Sequence, residues 1–327
     1  MNFAFCRALS AALALAAALP TGLAAPLARA EEARVETVQA NPELKKRADA
    51  LLKSIAEGGG KVTYGALEAG ASPEGLVIKQ IEIVSSDKKK VTIEEIEIRA
   101  FDWTNPNEPR HVDFAIKKLV VAADALDPEA AANVRELGLS ALTINGEVAY
   151  KFDEKEKAFD VSRVFLDFAE MGELRLRLKL TGVTVGDLKS AATGDKPAPG
   201  APAKPGGQGE QAMMGLLSRL NIAGAAIAFK DKSLVARMVR SDAKKKNMSE
   251  QASKAKMLEE LAEERSKAED DVTKEFIDAA IKFLRNPGEI ELSLNPPAPA
   301  NVMAAFMMVM GNRGTFKQMM GLSVSVK

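Results

Sequence analysis

The sequence contains only one cysteine, one histidine and one tryptophan in 327 residues. The cysteine, Cys6, lies within the first thirty residues, so the rest of the chain can form neither disulfides nor a cysteine-ligated metal site. A single histidine, His111, excludes a metal site built from several histidines. The chain also has no excess of positive or negative charge, because 45 Lys and Arg residues balance 45 Asp and Glu residues. Nucleic acid is therefore not an expected partner, since its binding needs a concentrated basic surface.

Motifs of the common enzyme classes are absent as well. The chain has no Gly-x-Ser-x-Gly, Walker, dinucleotide-binding, EF-hand or metalloprotease motif. We interpret His111 as a structural or surface residue, because a catalytic histidine needs an oriented partner. The acidic pairs Glu94–Glu95 and Asp270–Asp271 are interpreted as solvated, because an acid–base pair needs burial to separate its two pKa values. We predict that the protein is not an enzyme and has no cofactor and no metal.

Residues 1–30 have the parts of a secretory signal peptide. Arg7 gives the N-terminal region a positive charge, and an apolar segment runs from Ala8 to Leu19. Ala28-Arg29-Ala30 is a small-x-small cleavage site. We expect cleavage after Ala30 and export of a soluble protein to the periplasm of a Gram-negative bacterium. The apolar segment is shorter than the roughly 20 residues that cross a bilayer. No transmembrane anchor is therefore expected after cleavage.

Three consecutive segments share the pattern apolar-x-x-apolar-x-apolar, beginning at Ile78, Ile93 and Ile116. Two polar residues in succession would turn the following apolar side chains of a regular strand to the opposite face. A β-bulge at each polar pair would absorb one residue and keep the apolar side chains on one face. The pattern therefore predicts neighbouring bulged strands, and bulges at corresponding places predict a curved sheet.

Two further signals concern the following strands. Asn145-Gly146 is typical of a hairpin turn and predicts a return strand from Glu147. From Leu174 to Leu180 every second residue is leucine, and the residues between them are Arg175, Arg177 and Lys179. One face of this strand is thus apolar, and the basic face is either an ordinary solvent face or a contact for anionic lipid headgroups.

Composition divides the chain into four parts. Residues 1–30 are the signal peptide, and residues 31–190 contain a helix and the bulged strands. Residues 191–211 are rich in Pro and Gly and poor in apolar residues, which predicts a disordered linker. Residues 212–327 complete the strands and contain a long helix and a methionine-rich C-terminal segment.

The segment 247–285 predicts helix, with Asn247 and Glu250 as a capping pair at its start. An apolar stripe occurs only in its second half, and residues 262–271 have none. That stretch is either a solvated bend between two helices or part of a protruding rod. The predicted fold class is α+β: a curved, mostly antiparallel, bulged β-sheet with the helical segment 247–285 packed on it or flanking it.

Methionines are concentrated near the C-terminus. The candidates for lining an apolar ligand site are Met303, Phe306, Met307, Met310, Met319 and Met320. Thioethers also bind Cu(I), but the histidines that usually accompany such sites are missing, which favours flexible apolar packing. The last segment, from Leu322 to Val326, alternates apolar and polar residues and predicts a strand that pairs within the sheet.

The serial bulged strands that end in Leu142-Thr143-Ile144-Asn145-Gly146 resemble those of AsmA-like periplasmic envelope proteins. The ending, from Phe283-Leu284 through Asn286-Pro287-Gly288 to Pro296-Pro297, is similar to that of uncharacterised β-rich exported proteins of alphaproteobacteria. AsmA-like proteins have an N-terminal anchor that this chain lacks. The resemblance implies a role in the envelope and no catalytic residues.

We therefore predict a non-enzymatic periplasmic envelope protein that binds a lipid or another apolar ligand on a curved β-sheet. The alternative is an interaction scaffold that binds an envelope protein partner through the charged helical segment 247–285.

Overall fold

The computed structural model describes residues 41–56, 61–85, 88–106, 109–184 and 215–327. The chain divides into two compact units, the first ending at Glu147 and the second beginning at Val148. The predicted signal peptide, residues 1–30, and the predicted linker, residues 191–211, lie outside the described residues.

Within the residues that the structure describes, the first unit is built from antiparallel strands and two α-helices. Its elements are helix α1 (Pro42–Ala56), strands β1 (Lys61–Thr63), β2 (Ala66–Ala69), β3 (Leu76–Val84), β4 (Lys90–Phe101) and β5 (His111–Ala122), a 3₁₀ turn (Ala123–Ala125), helix α2 (Pro128–Glu136) and the first part of strand β6 (Ala141–Asp153). The strand order is β1-β3-β4-β5, with β2 paired to β3. Helix α1 lies against β1, β2 and β3, and its Ala48 and Leu52 are buried. Asp127 caps α2 by accepting from the backbone N–H groups of Glu129 and Ala130.

The apolar residues of the repeated pattern share one buried face, as predicted. Leu76 and Ile78 are fully buried and Ile81 is 1 % exposed, although two polar residues separate Ile78 from Ile81. The register pairs these three residues with Ile98, Ile96 and Ile93 of β4. The predicted irregularity therefore occurs at the polar pairs and keeps the apolar side chains together.

The irregular residues of the three strands fall in one line, which we call the bulge row: Gln80, Glu94 and Lys118. These are the positions that the register skips between β3 and β4 and between β4 and β5. Gln80 and Lys118 have left-handed backbone, with φ of 56° and 50°. Because neighbouring strands depart from regular geometry at the same level, their pairing continues in the same register beyond the row.

The predicted turn at Asn145-Gly146 is wrong. Both residues lie inside the continuous strand β6, which runs from Ala141 to Asp153. The Asn145 side chain supports the bulge row instead, because its Oδ1 accepts a hydrogen bond from the backbone N–H of Lys118 at 2.9 Å. Asn145-Gly146, a pair that favours tight turns, therefore lies within a strand here, and Asn145 stabilises the irregular backbone of the adjacent strand.

The second unit contains the remaining strands and further helices, besides a helical stretch at 215–219. Its elements are the last part of β6, strands β7 (Ala158–Phe168), β8 (Gly172–Thr181) and β9 (Asn221–Asp231), helices α3 (Leu234–Lys246), α4 (Glu250–Lys267) and α5 (Asp271–Arg285), strands β10 (Glu289–Leu294) and β11 (Ala300–Asn301), helices α6 (Val302–Gly311) and α7 (Arg313–Met320), and strand β12 (Leu322–Val326). The strand order is β7-β8-β9-β10-β12, with β11 paired to β9, and all these neighbouring strands are antiparallel. Register shifts occur between Val161 and Val164 and between Lys179 and Leu180.

The segment 247–285 forms two helices rather than one rod. Helix α4 continues through most of the stretch without an apolar stripe and ends at Lys267, and Asp270 caps α5 by accepting from the backbone N–H of Thr273. The predicted capping role of Asn247 is wrong, because Asn247 ends α3 in left-handed conformation. Ser249 caps α4 instead. The segment from Leu234 to Val239, which the sequence left open as a short helix or a strand, is part of helix α3, and this helix extends to Lys246, so that Asn247 ends it.

A buried hydrogen bond joins helices α3 and α4. Ser253 is fully buried, and its Oγ donates to Asp242 Oδ2 at 2.6 Å. Burial alone would raise the pKa of Asp242, but hydrogen bonds from Ser253 and Lys246 lower it overall. The carboxylate therefore stays ionised and fixes the two helices against each other.

Helix α5 packs on the strands of the second unit. Phe283 meets Phe229 of β9 edge to face, with ring centroids 6.3 Å apart. Val235 completes this core cluster, and Ile290 and Val326 pack against it. The last strand, β12, pairs with β10 as predicted. The fold class is therefore α+β, with curved, bulged, antiparallel β-structure on which helix α5 of the 247–285 segment packs, while helix α4 packs against α3 and α5.

Within the described ranges, no helix combines the length and the apolar character that spanning a bilayer would require.

Candidate functional site

One face of strand β8 is apolar along its whole length. We call its residues Leu174, Leu176, Leu178 and Leu180 the leucine row. Leu174 is 3 % exposed, whereas the other three are only half-buried. Arg175, Arg177 and Lys179 point to the opposite face and are exposed, because successive side chains of a strand alternate. The leucine row thus becomes more accessible towards the C-terminal end of the strand.

The register extends this apolar face to both neighbouring strands. The cross-strand partners of the leucine row are Leu166, Val164, Val161 and Phe159 on β7, and Phe229, Ile227, Ala225 and Ile222 on β9. All of these residues are apolar, and most of them are half-buried. A band of partly accessible apolar side chains therefore crosses three adjacent strands.

The methionine segment, which we define as residues 302–320, meets one end of the leucine row. Met320 is fully buried, and it forms a core cluster with Ala300 and Ala305. Ile222, the cross-strand partner of Leu180, packs against this cluster. Apolar contact is therefore continuous from the leucine row into the methionine segment.

Part of the methionine segment faces solvent. Phe306 is 60 % exposed and Met307 is 64 % exposed, both on helix α6. Isolated exposed apolar residues are common, but two large ones on consecutive positions of a helix that has no charged residue are not. Asn301 caps this helix by accepting from the backbone N–H of Ala304.

The structure separates the six candidate residues into different environments. Met320 is core, Met319 packs against the same cluster and Met303 is half-buried. Phe306 and Met307 are exposed, so they do not line a pocket with Met320. Met310 lies in α6, and its side chain is outside the described residues.

Ion pairs hold helix α7 against α5. Arg313 Nη1 lies 3.0 Å from Asp270 Oδ2 and 2.8 Å from Thr273 Oγ1, and Lys317 pairs with Glu275. Hydrogen bonds from the backbone and hydroxyl of Thr273, together with Arg313, lower the pKa of Asp270. The two basic side chains of the methionine segment, Arg313 and Lys317, are thus paired within the protein, and its large exposed apolar residues lie on helix α6.

The residues considered for catalysis do not converge. His111 is exposed, with Nε2 3.4 Å from Glu74 Oε2. Glu94 pairs with Lys118, whereas Glu95 pairs with Lys117. Asp270 caps helix α5, and Asp271 is exposed beside Lys274 at 3.7 Å. The part of the chain that the structure describes contains no group of three or more His, Cys, Asp or Glu side chains placed to hold a metal.

Sequence reasoning did not identify the bulge row as a site. A cavity of about 300 Å³ lies at this row in the first unit, and Gln80, Glu94 and Lys118 all line it. The available signal was the polar pair in each bulged strand, which we interpreted only as a source of curvature.

Comparison with known proteins gives little on function. A family model described as "Uncharacterized protein" matches residues 165–327, which include the leucine row and the methionine segment. No curated protein matches the chain.

Proposed function

We propose that the protein is a non-enzymatic envelope protein of the periplasm whose second unit holds the acyl chain of a lipid against the leucine row. The observation that carries this proposal is the continuity of apolar side chains in that unit. The leucine row is half-buried from Leu176 onward, and its far end meets Ile222 and the methionine segment. An acyl chain along this path would remove apolar surface from water at about 25 cal/mol per Å².

The chemistry of the methionine segment favours a flexible apolar ligand over a charged one. Residues 292–312 contain no charged side chain. Methionine side chains are unbranched and polarisable, so they adapt to ligands of variable shape such as acyl chains. Arg313 and Lys317, the basic residues of the segment, are already paired with Asp270 and Glu275.

Lipid extraction and native mass spectrometry of protein purified from its own periplasm test the proposal directly. A fluorescent fatty acid then gives the affinity of the delipidated protein. We expect Leu178→Gln to bind roughly tenfold more weakly, the factor that corresponds to about 1.4 kcal/mol of lost apolar contact. Met307→Ser should weaken binding less and leave stability unchanged, because this side chain is exposed.

Met257→Gln is the matched control, since Met257 is half-buried on helix α4, whose neighbours are α3 and α5. It should bind the probe like the wild type. A protein that carries no extractable lipid and shows no affinity for the fatty acid would end the proposal.

A second candidate function is a scaffold that binds an envelope protein through helix α4. The observation in its favour is that Ser253 is the one buried side chain among the described residues of this 18-residue helix. Its acidic residues Glu259 and Glu260 are exposed. The double substitution Glu259→Lys and Glu260→Lys should then abolish co-purification of a partner and preserve folding. Unchanged partners would remove this alternative.

A further inference from the structure

The cavity at the bulge row is open to solvent and has both an apolar side chain and charged groups. The half-buried Val120 is its accessible apolar side chain, because Ile81 and Ile93 are only 1 % and 5 % exposed, and Glu82, Glu94 and Lys118 contribute the charges. Its volume of about 300 Å³ suits a small molecule rather than a polymer. The cavity belongs to the first unit, whereas the leucine row belongs to the second, so a ligand here is independent of lipid binding.

The backbone around the cavity is held in an unusual conformation. Gln80 and Lys118 have φ of 56° and 50°, a region that L-residues with long side chains adopt at a cost. Asn145 Oδ1 accepts the backbone N–H of Lys118 and so fixes this conformation from the neighbouring strand β6. Strained backbone that surrounding residues maintain is more frequent at ligand sites than elsewhere.

The charges occur as opposite partners at the cavity. Glu94 Oε2 lies 3.1 Å from Lys118 Nζ, and both side chains are about 60 % exposed, at 59 % and 63 %. Glu82 Oε2 lies 2.6 Å from Lys90 Nζ. An exposed ion pair contributes little to stability, so a ligand can separate Glu94 from Lys118 at small cost.

We propose that this cavity binds a small zwitterion that has an ammonium group and a carboxylate on a short apolar body, the chemistry of a free apolar amino acid. The ligand ammonium pairs with Glu94 and the ligand carboxylate with Lys118, so one ion pair within the protein is replaced by two with the ligand. The apolar body lies against Val120. The other carboxylate, Glu82, excludes a second anionic group from the cavity.

Amide chemical shifts of the full mature protein, titrated with L-leucine, test the site. We expect saturable shifts at Gln80, Glu94 and Lys118 and an affinity in the millimolar range, because the charged groups are exposed. Leucinamide, which lacks the carboxylate, and 4-methylpentanoate, which lacks the ammonium, should each bind roughly fivefold more weakly, the factor that corresponds to about 1 kcal/mol.

Variants assign the two charges. Glu94→Gln should remove the preference for L-leucine over 4-methylpentanoate. Lys118→Asn should remove the preference for L-leucine over leucinamide, and asparagine tolerates the left-handed backbone at this position. Glu68→Gln is the control, because Glu68 of β2 pairs with Lys79 of β3 at 2.8 Å and neither residue lines the cavity.

Three results would overturn the proposal: no saturable shifts with L-leucine, shifts confined to residues away from the bulge row, or equal binding of all three probes by the wild type. If Glu94→Gln and Lys118→Asn kept the preferences of the wild type, the assignment of the charges would also be wrong.

Discussion

Leu76 and Leu176 both lie on the apolar face of a strand and reach different environments. Both strands have an antiparallel partner, but Leu176 lies between Arg175 and Arg177, whereas Leu76 is followed by the apolar Val77. Leu76 in the first unit is fully buried, whereas Leu176 in the second unit is half-buried. The sequence pattern therefore identifies the apolar face of a strand, but the depth of burial depends on what packs over that face.

The two units also differ in how they place irregular residues. In the first unit the bulge row crosses β3, β4 and β5 at one level without changing the register, in addition to one shift confined to the β4–β5 pair between Ile98 and Ala100. In the second unit each register shift belongs to a single strand pair, as between Val161 and Val164. Aligned irregularities create a cavity across several strands, whereas isolated ones change the direction of one strand.

The largest expected effect concerns the dependence of the second unit on its last strand. Truncation after Gly321 removes β12, with its ladder to β10 and the buried side chain of Leu322. We expect the free energy of unfolding to fall by roughly 4 kcal/mol, from lost apolar burial and lost hydrogen bonds. Thermal unfolding measures the change.

Ser325→Ala is the control for this truncation, because it keeps the ladder and changes one exposed side chain. It should melt close to the wild type. A truncated protein that melted like the full-length chain would show that β12 contributes nothing to the second unit.

The leucine comparison itself can be tested with matched substitutions. Leu76→Ala should lower the free energy of unfolding by about 3 kcal/mol, because it leaves a cavity at a fully buried position. Leu176→Ala should cost roughly half as much, since water already reaches this side chain. Denaturant unfolding, with amide exchange to assign each change to its unit, gives both values. Equal costs would mean that Leu176 is as well packed as Leu76.

A smaller expected effect concerns Asp102 of the first unit, whose contribution to the free energy of unfolding depends on pH. Burial would raise the pKa of Asp102, but hydrogen bonds from Thr104, Arg110 and Asn105 outweigh it and hold this pKa at about 2. The carboxylate is 7 % exposed. Because the folded pKa lies below the unfolded one, near 4, Asp102 stabilises the protein above pH 4 and loses this contribution as pH falls towards 2.

Asp102→Asn should therefore lower stability at pH 7 by on the order of 1–2 kcal/mol and flatten the decline of stability between pH 4 and pH 2. Unfolding measured across this range checks both effects. Asp153→Asn is the comparison, because Asp153 ends β6 with a carboxylate that accepts only from the backbone N–H groups of Lys155 and Glu156, and it should alter the acid response less. An unchanged acid profile for Asp102→Asn would show that other carboxylates determine it.

Much of this fold was predictable because the local patterns agreed with the tertiary structure. The polar pairs in the three repeated strands gave the positions of the bulge row, and the alternation from Leu322 to Val326 gave the last strand. The predictions at Asn145 and Asn247 were wrong for one shared reason. Asparagine tolerates left-handed backbone and offers side-chain hydrogen bonds, so it suits turns, caps and bulges alike, and tertiary contacts decide among them.

The candidate site was predictable only in part. Composition pointed to the methionine segment, but it could not separate the buried Met320 from the exposed Met307, because both follow similar apolar neighbours. The cavity at the bulge row was not predictable, since it depends on the alignment of Gln80, Glu94 and Lys118 across three neighbouring strands. Residues far apart in sequence meet there through the register, which no single segment specifies.

The pairing of β12 has a consequence for self-association. Lys327 and Glu289 exchange both backbone hydrogen bonds, so in an antiparallel ladder the carbonyl of the preceding residue, Val326, points away from β10. An open strand edge of this kind can template pairing with another chain and so start aggregation. Lys282 of helix α5 donates from Nζ to the Val326 oxygen at 2.7 Å. One lysine thus fills the outward-facing acceptor and places a positive charge at the strand edge, where a second copy of the strand would otherwise add.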